Sequence, residues 1–218
     1  MTVLTEGRHA AEHLVSEANG YRSREAIIVA SGADLDPGTV LGKISVGAAS
    51  SAAKAGGNAA NTGVLTLDAT NPVRAHAKVG VYTVRCIAAA SNSGTFRVED
   101  PDGFVIGDVA VAATFDDDVK FVIADGAQDF IVGEGFDITI AAGSSKYKVL
   151  NPAAVDGSQA AAGVLYGRAR AAAADAHAVA HVRDAEVNGG EITWPEGISG
   201  PAKATAIAQL KAIGIIVR

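Results

Sequence analysis

The chain of 218 residues contains one cysteine, Cys86, so no disulfide can form within it and a cross-linked framework is excluded as its source of stability. A lone thiol fits a chain made in a reducing cytoplasm. Positive charge is also in short supply: the formal net charge is −6, which argues against direct nucleic-acid binding, because that requires a basic surface to displace counterions. No apolar run approaches the roughly 20 residues of a membrane-spanning helix. The opening MTVLTEGRHAAEH lacks the apolar centre of a signal peptide, so neither a membrane partner nor export by that route is expected. Aromatic residues are only 5% of the chain, too few for rings to fill a core at this length. The interior must instead rest on small aliphatic side chains carried by sheets, with close backbone approaches.

Present in abundance are short β-type runs separated by turn residues. Residues 26–30 and 39–45 read as strands around the turn signals Ser31-Gly32-Ala33-Asp34 and Asp36-Pro37-Gly38. The next stretch, VGAASSAAKAGGNAANTG, reads as a linker or surface loop. Six further runs at 64–67, 80–88, 95–99, 104–106, 120–123 and 136–140 predict a small all-β module, a sandwich or open barrel. Residues 146–150 and 162–166 are also strand-like. In ARAAAADAHAVAHVRDAEV alanine favours a helix, although 178–182 can also run as a strand. The clearest helix lies near the end. Ser199 caps it, Pro201 sits in its first turn, Ala206, Ile207, Leu210 and Ile213 share a face, and Gly214 ends it before a strand at 215–217. Residues 1–25 are polar and weakly patterned. A short helix over 6–18 is possible, but an extended arm that orders on binding is the favoured reading.

Several residue patterns resemble chemistry without the context it needs. His9-Ala-Ala-Glu12-His13 matches H-x-x-E-H, in which two histidines one helical turn apart hold zinc and the glutamate acts as base, but it sits in the predicted arm. His177 and His181 repeat the spacing and read as surface histidines. Asp116, Asp117 and Asp118, with Asp100 and Asp102, lack the glycine and terminal glutamate of a calcium loop and read as solvated turn carboxylates. The glycines around 56–57 and 133–135 carry no phosphate-binding lysine and read as turns. Cys86 reads as core, and Trp194 as core or interface. No catalytic, cofactor-binding or metal-binding residue is expected.

The ordered segments AIIVASGADLDPGTVLGKIS, SKYKVLNPAAVDGSQAAAGVLYGRA and HVRDAEVNGGEITWPEGI, followed by the terminal helix and IIVR, resemble the lambda-type head decoration proteins of tailed bacteriophages. The most specific pieces are Val155-Asp156-Gly157-Ser158 running into Ala162-Gly163-Val164-Leu165, and Thr193-Trp194-Pro195-Glu196. The resemblance implies a mixed α+β, β-rich fold and replaces the helix of 178–187 with strand. It implies an arm at 1–25, a discontinuous decoration domain at 26–46 and 145–218, and an inserted β domain at 47–144 without counterpart in the shortest members. It further implies a homotrimer at threefold positions outside the expanded head, with the major capsid protein as partner, located on the virion after synthesis in the bacterial host cytoplasm. Thr2, Val3, Leu4, Thr5, Leu14, Val15 and Tyr21 would then be arm contacts. Trp194, Pro195, Glu196 and Ile198 would face the trimer or capsid interface. The alternative is a displayed β-module adhesin for host-surface glycans. Against it, Tyr82, Phe96, Phe104, Phe115, Phe121, Phe130 and Phe136 lie in strand-like alternation and read as buried.

Overall fold

A computed structural model describes residues 6–58 and 63–218. The chain folds into two compact units, one running to Ser45 and resuming over Ser144–Arg218, the other Val46–Gly143. The first unit opens with β1 (Leu14–Glu17), β2 (Arg24–Val29), β3 (Asp34–Leu35) and β4 (Val40–Lys43). The second carries β5 (Val46–Ala53), β6 (Val64–Leu67), β7 (Gly80–Ala90), β8 (Ser93–Glu99), β9 (Val105–Ala110), β10 (Thr114–Asp116), β11 (Lys120–Ala124) and β12 (Gly135–Ala142). The first unit then resumes with β13 (Tyr147–Val149), β14 (Ala161–Leu165), β15 (Ala169–Arg170), β16 (Ala176–His181), β17 (Ala185–Val187), helix α1 (Gly200–Ala212) and β18 (Ile215–Val217). The whole is β-rich with a single α-helix among the described residues, the mixed class expected from the sequence.

In the first unit β13, β2, β16, β14 and β4 close into a barrel, filled by Ile27, Val29, Leu41, Tyr147, Leu165 and Ala180. Here alanine does not make a helix. β16 runs antiparallel to β2 from Ala176 opposite Val29 to His181 opposite Arg24, so a closed ladder satisfies its backbone while its small side chains fit the narrow interior. Tertiary pairing outweighs a propensity difference of about 0.5 kcal/mol per residue. The strand implied by the resemblance is present, as two strands, β16 and β17. Gly42 on β4 explains another small residue: a Cβ there would run into the backbone carbonyl of Ser158.

A second cluster joins α1 to the sheet β1-β17-β18. Ala206 and Leu210 bury themselves against Val40, Val164, Val187, Ile192 and Ile215, with Trp194 and Ile198 packed at its border. The punctuation works as the sequence suggests. Ser199 Oγ accepts a hydrogen bond from the Ala202 amide at 3.3 Å, and Gly214 takes φ +83°, which lets the chain turn into β18.

The second unit consists of a five-stranded antiparallel sheet, β5-β12-β7-β8-β9, and a three-stranded one, β10-β11-β6. Both contribute to one core containing Tyr82, Phe96, Phe121, Phe130, Phe136 and Ile138. Part of the expected linker is in fact β5, an edge strand paired with β12 from Ala53 opposite Phe136 to Val46 opposite Ala142. Its Ala and Ser side chains carry no alternation, and backbone hydrogen bonds to β12 hold it. Within the first unit, the points where the chain departs and returns meet: the Ile44 amide donates to Lys146 O, and the Ser145 amide to Ile44 O, each at 2.9 Å.

Candidate functional site

The N-terminal segment is already docked on its own unit. β1 pairs antiparallel with β17, Leu14 opposite Val187 and Glu17 opposite Ala185, and is the edge strand of its sheet. The short helix considered over 6–18 is absent. Three contacts fasten the approach to the strand: the Ala11 amide donates to Tyr166 O at 2.8 Å, the Asn188 amide to His13 O at 2.8 Å, and the Arg8 guanidinium to the Glu191 carbonyl. Beyond the strand, Glu17 accepts from Ser23 Oγ at 2.7 Å and from Arg24 Nε at 2.9 Å, and Arg24 lies between the rings of Tyr21 and Tyr166, 4.6 and 4.2 Å from their centroids. The Arg24 hydrogen bond holds the Glu17 carboxyl below its ordinary range.

Behind β1 lies a buried histidine pair. His13 Nε2 is 3.3 Å from His181 Nδ1, the rings meet edge to face, and Tyr166 packs edge-on against His181. His13 is 1% exposed and its Nδ1 has no hydrogen-bond partner among the described residues. His181 Nε2 stands 3.5 Å from Glu17 Oε2, an electrostatic contact rather than a formed hydrogen bond. Burial, then the repulsion that a protonated His181 and Arg8 would exert, lower the pKa of His13 to about 4. Burial likewise lowers that of His181, against the opposing pull of Glu17. Both rings are therefore neutral at pH 7.

The structure thus places the H-x-x-E-H residues apart in role. His9 stays at the surface beside Glu6 at 3.0 Å, while His13 turns inward. His181, read from sequence as a surface residue, is fully buried. Asp100 and Asp118, read as solvated, are 5% and 7% exposed. Cys86 is core, its thiol pKa raised by burial.

Of the expected arm residues, Thr2, Val3, Leu4 and Thr5 lie outside the described residues. Leu14 is half-buried on β1, whereas Val15 and Tyr21 are exposed. The Trp194 turn is held by the Thr193 amide on Gly38 O at 2.8 Å and the Val40 amide on Thr193 O at 3.0 Å. Trp194 is half-buried, its Nε1 without a partner among the described residues and the Lys203 ammonium 5.1 Å from its ring, and the Trp194–Pro195 peptide is trans. Pro195, Glu196 and Ile198 border an open groove of about 670 Å³, lined on its other walls by Val29, Leu35 and Leu150.

The Val155–Ser158 motif proves structural. Asp156 accepts from Ser158 Oγ at 2.6 Å and pairs with Lys148 at 2.7 Å, and Gly157 at φ +97° sits where a Cβ would strike Ser45 and the Lys43 carbonyl. In the second unit six of the seven aromatic residues are buried, as expected, but Phe104 is 68% exposed. The described residues of this unit offer no cluster of exposed rings on which a sugar could stack.

A family model described as bacteriophage lambda head decoration protein D matches residues 3–215 of the chain. No curated protein and no solved structure matches it.

Proposed function

Because the chain belongs to the bacteriophage lambda head decoration protein family, we propose that it acts as a homotrimer seated at threefold positions on the outside of the expanded head, stabilising the shell against the pressure of packaged DNA. Membership makes it a structural capsid protein. The finer reading rests on one observation above others: β1 is an edge strand carrying exposed Val15, with one side of its backbone unpaired by its own sheet. An exposed edge accepts a strand from a partner, with main-chain hydrogen bonds supplying affinity. The major capsid protein is that partner in this reading, and the arm of residues 1–25 meets it through the free edge of β1 and the residues ahead of it. The Trp194 turn and its groove serve as a second contact surface, toward the trimer mate or the shell. Residues 47–144 form an inserted β module not required for attachment.

Stabilisation follows from selectivity. A protein that binds the expanded shell and not the unexpanded one stabilises the former by about 2.7 kcal/mol per site at a free concentration one hundred times Kd. Three arms on one trimer make the second and third contacts effectively intramolecular. The test is co-sedimentation of the purified chain with expanded and unexpanded heads, with light scattering for mass. The expected result is a trimer that pellets with expanded heads only, and a truncation lacking residues 1–7 that stays trimeric but unattached. Equal binding to both head forms, or undiminished attachment of the truncated chain, refutes the reading.

A further inference from the structure

We propose that the second unit holds a divalent transition-metal ion, of the kind represented by Zn²⁺, on His76, Asp117 and Asp118. The three side chains converge from separate parts of the chain. The segment preceding β7 runs beside the β10–β11 turn: the Arg74 amide donates to Asp118 O at 2.9 Å, the Lys120 amide to Pro72 O at 2.9 Å, and Val73 bridges Val119. That alignment places His76 Nε2 at 3.2 Å from Asp117 Oδ1 and 3.0 Å from Asp118 Oδ1. All three donor atoms lie within 4.8 Å of one another. Donors bound at 2.0–2.1 Å around one ion stand about 2.8–3.4 Å apart along the edges of an octahedron or tetrahedron, and both histidine-to-aspartate distances fall in that range.

Asp118 is the built part of the arrangement. Its side chain is 10% exposed, and its second oxygen, Oδ2, accepts from the Tyr82 hydroxyl at 2.9 Å. Tyr82 is itself buried and takes a hydrogen bond from the Lys78 amide at 2.7 Å, which leaves its own proton directed at Asp118. A buried carboxylate oriented by a fixed donor, with its other oxygen facing an imidazole, is the outer-shell arrangement that positions metal ligands. The neighbouring charges are otherwise engaged. Arg74 pairs with Asp116 at 2.5 Å, and Lys78 with Asp100 at 2.5 Å and Asp102 at 2.6 Å. Among the described residues the ion-pair partner of Asp117 and Asp118 is His76 alone. A neutral imidazole with two carboxylates carries −2, matching a divalent cation. The imidazole selects against Ca²⁺ and Mg²⁺, which take oxygen ligands. His76 and Asp117 are 63% and 49% exposed at their side chains, so the ion has a path in and solvent completes its coordination.

The test is isothermal titration of the full chain with Zn²⁺, with Ca²⁺ as comparison, on wild type, H76Q, Y82F and H9Q. The expected result is one Zn²⁺ bound per chain with a rise in Tm. H76Q weakens it more than tenfold, Y82F weakens it about tenfold by releasing Asp118, H9Q leaves it unchanged, and Ca²⁺ fails to compete. His76 is exposed enough that H76Q folds, so its result stands even where Y82F lowers stability. Absence of Zn²⁺ binding at millimolar concentration, equal affinity in H76Q, loss of binding in H9Q, or competition by equimolar Ca²⁺ overturns the proposal.

Discussion

Lowering the pH from 7 to 5 is expected to loosen the N-terminal segment, because His13 must stay neutral to remain buried. Its pKa falls from 6.5 to about 4 on folding. Between those values the unfolded chain binds the extra proton and the folded one does not, so stability is complete above about pH 6.5 and is lost as pH falls toward 4. From these two values His13 alone removes about 2 kcal/mol by pH 5 and about 3 kcal/mol by pH 4. His181 adds to this in the same direction, since its pKa is also lowered. The charges around the pair shape the order of events. Glu17 favours a proton on His181, Arg24 disfavours it, and a charged His181 together with Arg8 opposes a second proton on His13. Urea unfolding at pH 7.5, 6, 5 and 4.5 measures the effect, alongside hydrogen exchange at Leu14 and Asn188, whose amides bond to Ala11 and His13. His13→Leu, which removes the titrating ring, is expected to flatten the profile between pH 6.5 and 4.5 by about 2 kcal/mol. A wild-type profile that is flat over this range, or a H13L profile with undiminished slope, refutes the reasoning.

Other substitutions probe the backbone and caps. Gly42→Ala forces a Cβ into the Ser158 carbonyl and is expected to cost about 1–3 kcal/mol in urea unfolding. Ser199→Ala removes the oxygen that accepts from Ala202 and is expected to cost about 1 kcal/mol, with Ser199→Asp close to wild type by the same measurement. Trp194→Ala strips the border of the α1 cluster at about 3 kcal/mol, whereas Glu196→Ala, at an exposed turn position, is expected to leave Tm within a degree or two. Replacing Val46–Gly143 with a short turn is expected to leave a folded first unit by circular dichroism, because Ile44 and Ser145 are already hydrogen-bonded neighbours.

Much of the architecture is written in local chemistry. The Ser199, Pro201 and Gly214 punctuation locates α1 to within a residue, and the alternation of Tyr82, Val84 and Cys86, all buried, marks the inward face of β7. What local chemistry cannot reveal depends on partners distant in sequence. β5 exists because β12 returns beside it, and β16 is a strand because β2 needs a neighbour. His13 and His181 meet across 168 positions, and His76 reaches Asp117 across 41, so neither pairing has a signal in spacing. The contact roles expected of the arm residues and the Trp194 turn come from the resemblance alone, since no periodicity distinguishes a surface that meets a partner from an ordinary one.

The meeting of Ile44 and Ser145 also bears on how fast the first unit can assemble. Counted along the chain, the contact between β4 and β13 encloses about a hundred residues, and closing a flexible loop of that length costs about 3 kcal/mol more than closing a four-residue turn. A segment that folds on its own removes that penalty, because its two ends are brought together before the outer strands search for each other. Barrel closure is then expected to follow folding of Val46–Gly143 in time, and a core substitution such as Phe96→Ala in that segment to slow the appearance of the barrel although it touches none of its strands.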